Sequence, residues 1–286
     1  MPRRMAALDQ ARTLAGLARD TTASLLALRR NNVIHSPAPP AAGLVLDVGS
    51  GQAAHPRADV IVDKYVADDF ERGESLDLTK PLVVADGHAL PFADATFAYV
   101  IASHVLEHAT DVELFASELA RVATAGFVQV PSRQAELTLG WPFHPWLIDR
   151  RGDTLVFNPR GDQKAPLGEF FHQAFAESTL FSLWFGAHRE RWHHTLHWSN
   201  GFDVEVAGTS QAPQTATLEV EVTLDALAKM GAAGPVGPLR SGLRCPADRG
   251  VLEEEPGLLR CTECGLTYPV APGGVPMLLA EAARSA

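Results

Sequence analysis

Short apolar runs organise the first half of the chain. Leu44-Val-Leu-Asp-Val48, Val60-Ile-Val-Asp63 and Leu82-Val-Val-Ala-Asp86 are apolar or β-branched runs rather than alternating ones, and Gly, Asp or Pro residues bound them. Runs of that kind read as strands buried on both faces, as parallel sheets require. Thr96 to His108 reads as a fourth strand running into a loop, and Gly126-Phe-Val-Gln-Val130, closed by Pro131, reads as a fifth. Between these two, Asp111 is a natural N-cap, and Val112, Phe115, Leu119 and Val122 form the apolar stripe of a helix. This strand-helix-strand rhythm predicts an α/β fold with helices on both faces of the sheet.

Outside that core the pattern changes. Residues 5 to 30 read as an N-terminal helix, with Leu14, Leu17, Thr21, Leu25 and Leu28 on one stripe, ended by Asn31-Asn32 and the prolines at 37, 39 and 40. From 131 to 200 aromatic and imidazole side chains accumulate, among them Trp141-Pro-Phe-His-Pro-Trp146, Trp184 and Trp192. This region reads as a substrate domain or lid that excludes water from an acceptor. Thr195 to Val206 reads as a hairpin turning at Asn200-Gly201, and Thr217 to Val222 as an alternating strand before a helix from Leu224 to Met230. Residues 231–242, rich in Gly and Pro, read as a linker, leaving 243–286 as a small separate module.

Composition narrows the function. The 286 residues include 34 acidic against 24 basic side chains, a net charge of -10 with no dense basic patch, which argues against a nucleic-acid partner. No apolar run approaches the ~18 residues of a membrane span, and Met1-Pro-Arg-Arg4 leads into no compact hydrophobic region, so the expectation is a cytoplasmic protein without a membrane partner. A homo-oligomer is compatible with these figures. All three cysteines lie between 245 and 264, so no disulfide framework braces the main body.

The chemistry starts at the first strand. Asp47, Gly49 and Gly51 follow its apolar residues, and a glycine loop at a strand's carboxyl end lets a ligand approach the backbone. Gly49-Ser-Gly51-Gln-Ala-Ala54 also fits a dinucleotide fingerprint with Asp63 as the ribose acid. Only Gln52 to Asp59 separate the loop from the next strand, however, and His55-Pro56 interrupts them, so the helix that a pyrophosphate wants has no room. A carboxylate inside the loop suits a cationic ligand instead, and S-adenosylmethionine carries an ammonium and a sulfonium.

The run D-x-G-x-G at Asp47, then D-x-x-x-L-P-F from Asp86 to Phe92, then L-E-H at Leu106 to His108 resembles the class I S-adenosylmethionine-dependent methyltransferases over roughly residues 42 to 131. The resemblance implies a Rossmann-like methyltransferase sheet within residues 41–230. It further implies that Asp47, Gly49 and Gly51 hold the methionine part of the cofactor, that Asp63 accepts from the ribose hydroxyls, and that Asp86 and the Gly87 amide read the adenine edge. Ser103 and His104 would border the sulfonium and the substrate. A general base for the acceptor is sought in His108 or in His144, with Glu136 orienting His144 or itself accepting the substrate proton; the alternatives are a structural His108 that orients the loop or a water, and a His144 packed in its Pro/Trp loop.

The C-terminal module carries Cys245-Pro-Ala-Asp248 and Cys261-Thr-Glu-Cys264, and it resembles the small zinc-ribbon family that includes methyltransferase activator subunits. The resemblance implies a Zn2+ site at Cys245, Asp248, Cys261 and Cys264, with Asp248 standing where the family has cysteine; a metal-free ribbon is the other reading. The functional expectation is methyl transfer to a hydroxyl or amine of a small molecule, such as a sugar or a secondary-metabolite intermediate. Methylation of RNA or of a translation-related protein, and a non-catalytic cofactor-binding role, are the alternatives.

Overall fold

The computed structural model describes residues 35–72, 74–210 and 218–285. The N-terminal helix expected over residues 5 to 30 lies outside them. Five parallel strands form the centre: β1 (Val45–Val48), β2 (Val60–Asp63), β3 (Leu82–Ala85), β4 (Tyr99–Ser103) and β5 (Ala125–Pro131), in the order β3-β2-β1-β4-β5. Every residue of β1, β2 and β3 is buried, the environment that their unbroken apolar sequences require. No helix forms between β1 and β2, where eleven intervening residues make turns, as the short, proline-interrupted stretch predicts. The helix Val112–Val122 begins at Asp111, whose side chain accepts from the Leu114 amide at 2.9 Å, and it buries Val112, Phe115, Leu119 and Val122 on the sheet.

The region from 131 to 200 builds on this sheet. After the helix Arg133–Thr138, β6 (Trp146–Arg151) and β7 (Thr154–Pro159) form an antiparallel pair, followed by the helices Gly168–Glu177, Thr179–Ala187 and Arg189–Trp192. β8 (His193–Ser199) then returns antiparallel to β5 at the edge of the main sheet. The expected hairpin is therefore corrected. Asn200 and Gly201 do turn the chain, at φ of 60° and 105°, but β9 (Val204–Val206) pairs parallel to β7 in the smaller sheet, not with β8. The turn transfers the chain between two sheets because both have an open edge there, and edge pairing satisfies backbone groups that a bare hairpin would leave to solvent.

The expected strand over Thr217–Val222 is also corrected: Val220–Met230 is one helix, and residue 217 lies outside the described residues. Val220, Leu224 and Leu227 fit a helical period as well as the alternation fits a strand, and they pack against Val275, Met277 and Leu279, which decides between the two. The stretch 231–242 is held along the sheet rather than free: the Leu82 amide donates to the Ala233 carbonyl at 2.7 Å, and Ala232 is buried.

The last four strands, β10 (Leu252–Glu255), β11 (Leu258–Cys261), β12 (Thr267–Ala271) and β13 (Val275–Leu278), form an antiparallel ribbon. β13 pairs parallel to β3, with Met277 beside Val84 and Leu278 beside Ala85, so the ribbon extends the central sheet to ten strands. Arg249 reaches Glu118 of the Val112–Val122 helix at 3.1 Å, a second attachment. The segment read as a separate module shares its hydrogen bonding with the main sheet. Among the described residues no helix is long and apolar enough to cross a membrane.

Candidate active site

A cavity of about 310 Å3 opens at the carboxyl ends of β1 to β4, where the strands end and their loops diverge. Gly49, Gly51, Asp63, Asp86, Gly87, His104 and His108 all line it, so seven of the residues singled out from sequence converge on one space. Val48, Val62, Ala85 and Phe115 supply an apolar wall. Gly49 turns at a φ of 63°, and a Cβ there would meet Val105 at 2.7 Å; a Cβ on Gly87 would lie 2.1 Å from the Phe115 ring. Both positions keep the backbone close to the cavity because no side chain fits.

Each acid is placed by its own turn. Asp63 ends β2, its Oδ1 accepts from the Tyr65 amide at 3.0 Å, and Arg72 Nη1 stands 3.3 Å away. Burial pushes the Asp63 carboxyl up to about 6, with Arg72 opposing. Asp86 accepts from the His88 amide at 2.9 Å, faces His88 Nδ1 at 2.6 Å, and receives Lys64 Nζ at 2.8 Å. Burial raises its carboxyl, but the His88 and Lys64 hydrogen bonds outweigh burial and hold it well below the usual carboxylate range. With Asp68 and Glu71 the lining carries four carboxylates against two cations, Lys64 and Arg72, each of which is paired with one of those acids. The surplus is negative and favours a cationic ligand.

Two of the expected cofactor residues sit elsewhere. Asp47 is buried behind the loop, where its Oδ2 accepts from the His55 amide at 2.9 Å, and burial pushes its carboxyl up to about 7. It shapes the glycine loop from behind instead of lining the cavity. Ser103 ends β4 beside Gln129 and is likewise absent from the lining. The next residue, His104, has a positive φ of 57°, and its Nδ1 lies 3.0 Å from Glu107 Oε1.

His108 and His144 are brought together across 36 positions, with rings edge to face at 4.6 Å. His108 faces the cavity, with Nδ1 2.9 Å from Glu71 Oε2, an ion-pair distance at which the N–H is not aligned for a hydrogen bond. Burial lowers the His108 imidazole, but Glu71 and Glu107 more than compensate and raise it. His144 is buried beneath, with Nδ1 2.6 Å from Glu136 Oε1; Arg160 binds the other oxygen of Glu136 and donates to the His144 carbonyl at 2.8 Å. Burial drives the His144 imidazole down to about 3. We take it as neutral, because Arg160 already compensates the Glu136 charge.

Sequence reasoning missed Lys64, Glu71, Arg72 and Phe143, all on the cavity wall. Phe143 lies inside the aromatic run that pointed to a pocket, and it stacks on His108 at 5.7 Å. Glu71 and Arg72 come from an irregular loop, where no periodic signal marks a side chain that folds inward. Two further histidines are held by the structure: His193 on β8 lies edge to face with His104 at 5.0 Å, and His194 Nε2 faces the Ile148 carbonyl at 3.2 Å.

In the ribbon, Cys245, Asp248, Cys261 and Cys264 place one ligand atom each within 4.8 Å of one another. Cys245 Sγ lies 3.8 Å from Cys264 Sγ, and Asp248 Oδ1 lies 3.3 Å from Cys261 Sγ. Two thiolates each bound at ~2.3 Å to a tetrahedral ion stand roughly 3.8 Å apart, so this donor set fits zinc. Tyr268 places its hydroxyl 3.3 Å from Cys245 Sγ, a neighbour suited to a ligating sulfur.

The sheet and the cavity at its strand ends define an α/β protein with a Rossmann-like sheet. Residues 46–127 match the methyltransferase domain family, the stretch that contains β1 from its second residue, β2 to β4 and every cavity residue except Phe143. Among solved structures, the YcgJ protein of Bacillus subtilis is 20% identical over 39% of this chain and 51% of its own, with a TM-score of 0.27. A Pyrococcus horikoshii protein is 23% identical over 33% and 52%, with a TM-score of 0.26. An S-adenosylmethionine-dependent methyltransferase of Mesorhizobium loti is 16% identical over 53% and 72%, with a TM-score of 0.28. The chain thus spans about half the length of the first two. No curated protein matches it.

Proposed function

We propose that this protein transfers the methyl group of S-adenosylmethionine to a hydroxyl or amine of a small molecule. The carrying observation is the convergence of Gly49, Gly51, Asp63, Asp86, Gly87, His104 and His108 on one acidic cavity inside the segment that matches the methyltransferase domain. Its volume lies at the lower end of the roughly 300–1,000 Å3 range of small-ligand sites, which suits a nucleoside-sized donor with a compact acceptor.

In this reading the cofactor supplies a methyl carbon made electrophilic by the attached sulfonium. Asp63 holds the ribose hydroxyls, and Gly87 lets the adenine lie against Phe115. The acceptor enters on the side of His104, His108 and Phe143. As the acceptor's oxygen or nitrogen bonds to the methyl carbon, the carbon–sulfur bond breaks and sulfur keeps the electron pair. The acceptor's proton passes to the contacting Glu71–His108 pair at the wall. Most of the acceleration comes from fixing the two reactants in line and excluding water. The Cys245, Asp248, Cys261 and Cys264 cluster would hold a structural zinc that braces the ribbon against β3.

The test has two stages. Calorimetry with S-adenosylmethionine and S-adenosylhomocysteine should show one site, which Asp63→Ala weakens. Labelled methyl transfer into host extract, separated into small-molecule, protein and RNA fractions, should place label in the small-molecule fraction. Label in protein or RNA would replace the acceptor class, and absence of binding would end the methyltransferase reading.

A further inference from the structure

Beneath the acceptor side of the cavity, Glu107, His108 and His144 each offer one ligand atom, and the three atoms lie within 4.8 Å of one another. We propose that these residues bind a divalent transition-metal ion that faces the cavity and takes the acceptor's oxygen or nitrogen as a further ligand. This proposal rests on the methyl-transfer reading of the cavity for the acceptor, but not for the ion.

The donor set carries the first part of the inference. Two imidazoles and one carboxylate form a facial set for zinc, iron, manganese, cobalt or nickel, and three protein ligands leave positions open for solvent or substrate. Ligands at ~2.1 Å from a shared ion stand roughly 3 to 3.5 Å apart, so rotations that move each side chain by less than about 1 Å close the set.

Glu107 carries the second part. It is wholly buried, and while Oε1 is engaged by His104, Oε2 has no hydrogen-bond partner. An unsatisfied buried carboxylate oxygen is costly, and a cation is the group that compensates it.

The third part is the support around the histidines. Metal-bound imidazoles characteristically present their second nitrogen to a carboxylate, which fixes the tautomer and aims the other nitrogen at the ion. Here His144 Nδ1 meets Glu136 at 2.6 Å, with Glu136 anchored by Arg160, while Glu71 Oε2 stands 2.9 Å from His108 Nδ1 as a charge neighbour without an aligned N–H. His144 thereby keeps Nε2 for ligation. With His108 ligating, the role of receiving the acceptor's proton falls to Glu71. Acceptors with two adjacent oxygens, able to chelate, are the class best suited to such a site.

The experiment compares the chelator-stripped full-length protein with its His144→Gln and Glu107→Gln variants during cobalt(II) titration, followed by absorption and by metal analysis. The wild type should bind one more equivalent than either variant. The difference spectrum should show ligand-field bands without the thiolate charge-transfer absorption that the cysteine cluster would give. Equal stoichiometry in all three proteins, or a difference spectrum with thiolate bands, would overturn the site. S-adenosylmethionine binding, measured on the same stripped samples, reports cavity folding in the variants. It also separates failure of this inference from failure of the methyltransferase reading.

Discussion

Arg72 Nη1 lies 3.3 Å from Asp63 Oδ1, joining an irregular loop to the last residue of β2 and aiming the carboxylate across the cavity. The arginine only partly offsets burial, so Asp63 titrates near 6. Its protonated form loses acceptor capacity for ribose hydroxyls. S-adenosylmethionine affinity should therefore fall as pH drops from 7.5 to 5, steepest near 6. Asp63→Asn should bind about 10- to 100-fold more weakly at pH 7.5, the loss of a charged hydrogen bond of ~1.5–3 kcal/mol, and its pH profile should be flat there. Calorimetry across that range checks both; a wild-type profile as flat as the variant's would remove Asp63 from the ribose site.

Asp47 makes a prediction about stability. Its folded pKa of about 7 exceeds the ordinary 3.8, so between those values the native state holds a proton that the unfolded chain has released. Stability associated with this group is present at low pH and is lost as pH rises through 7, by up to about 4 kcal/mol. Asp47→Asn keeps an acceptor for the His55 amide and removes the titration. Its melting temperature relative to wild type should rise from pH 5 to about pH 7 and then level off in the cofactor-free protein. An offset independent of pH would contradict the burial cost.

Gly87→Ala tests how closely the backbone approaches the helix. The added methyl would lie 2.1 Å from the Phe115 ring, which is itself buried. Repacking should cost about 1–3 kcal/mol and push Phe115 or the Asp86–His88 turn toward the cavity. Lower denaturant midpoints together with weaker cofactor binding are expected; an unchanged midpoint would mean that the ring moves aside freely.

Chelation of the zinc-fitting cluster, or Cys261→Ser, should destabilise more than the ribbon. β13 lies beside β3, and Met277 and Leu278 are fully buried. Hydrogen exchange should therefore quicken in Leu82–Ala85 as well as in β10 to β12, and one equivalent of zinc should be lost. Protection changes confined to residues 243–271 would show that the ribbon melts independently.

Much of the fold was legible because parallel strands buried on both faces leave a simple trace. Three hydrophobic residues ending in Asp, as in Val60–Asp63, admit few other readings. The Val112–Val122 helix was equally plain, since Asp111 satisfies its first amides and the apolar stripe has a single period. The alternation through Val222 misled because its apolar positions also fall on a helical stripe, and only packing against β13 separates the two. At Asn200-Gly201 the turn was legible but its destination was not, because strand choice depends on which edges are open.

By itself the sequence determined the elements of the central sheet, the glycine loop, the acids at the strand ends and the paired C-terminal Cys and Asp positions, because local propensity, burial and fixed spacing act within a few residues. Tertiary structure alone decided that Asp47 is buried against the His55 amide while Asp63 faces the cavity, that Glu71 and Arg72 close the wall, and that His144 is set against His108 with Glu136 and Arg160 behind it. It also joined the ribbon to β3. These outcomes depend on long-range contacts and on burial, which sets the charge state of a carboxyl or an imidazole through its surroundings rather than its neighbours in sequence.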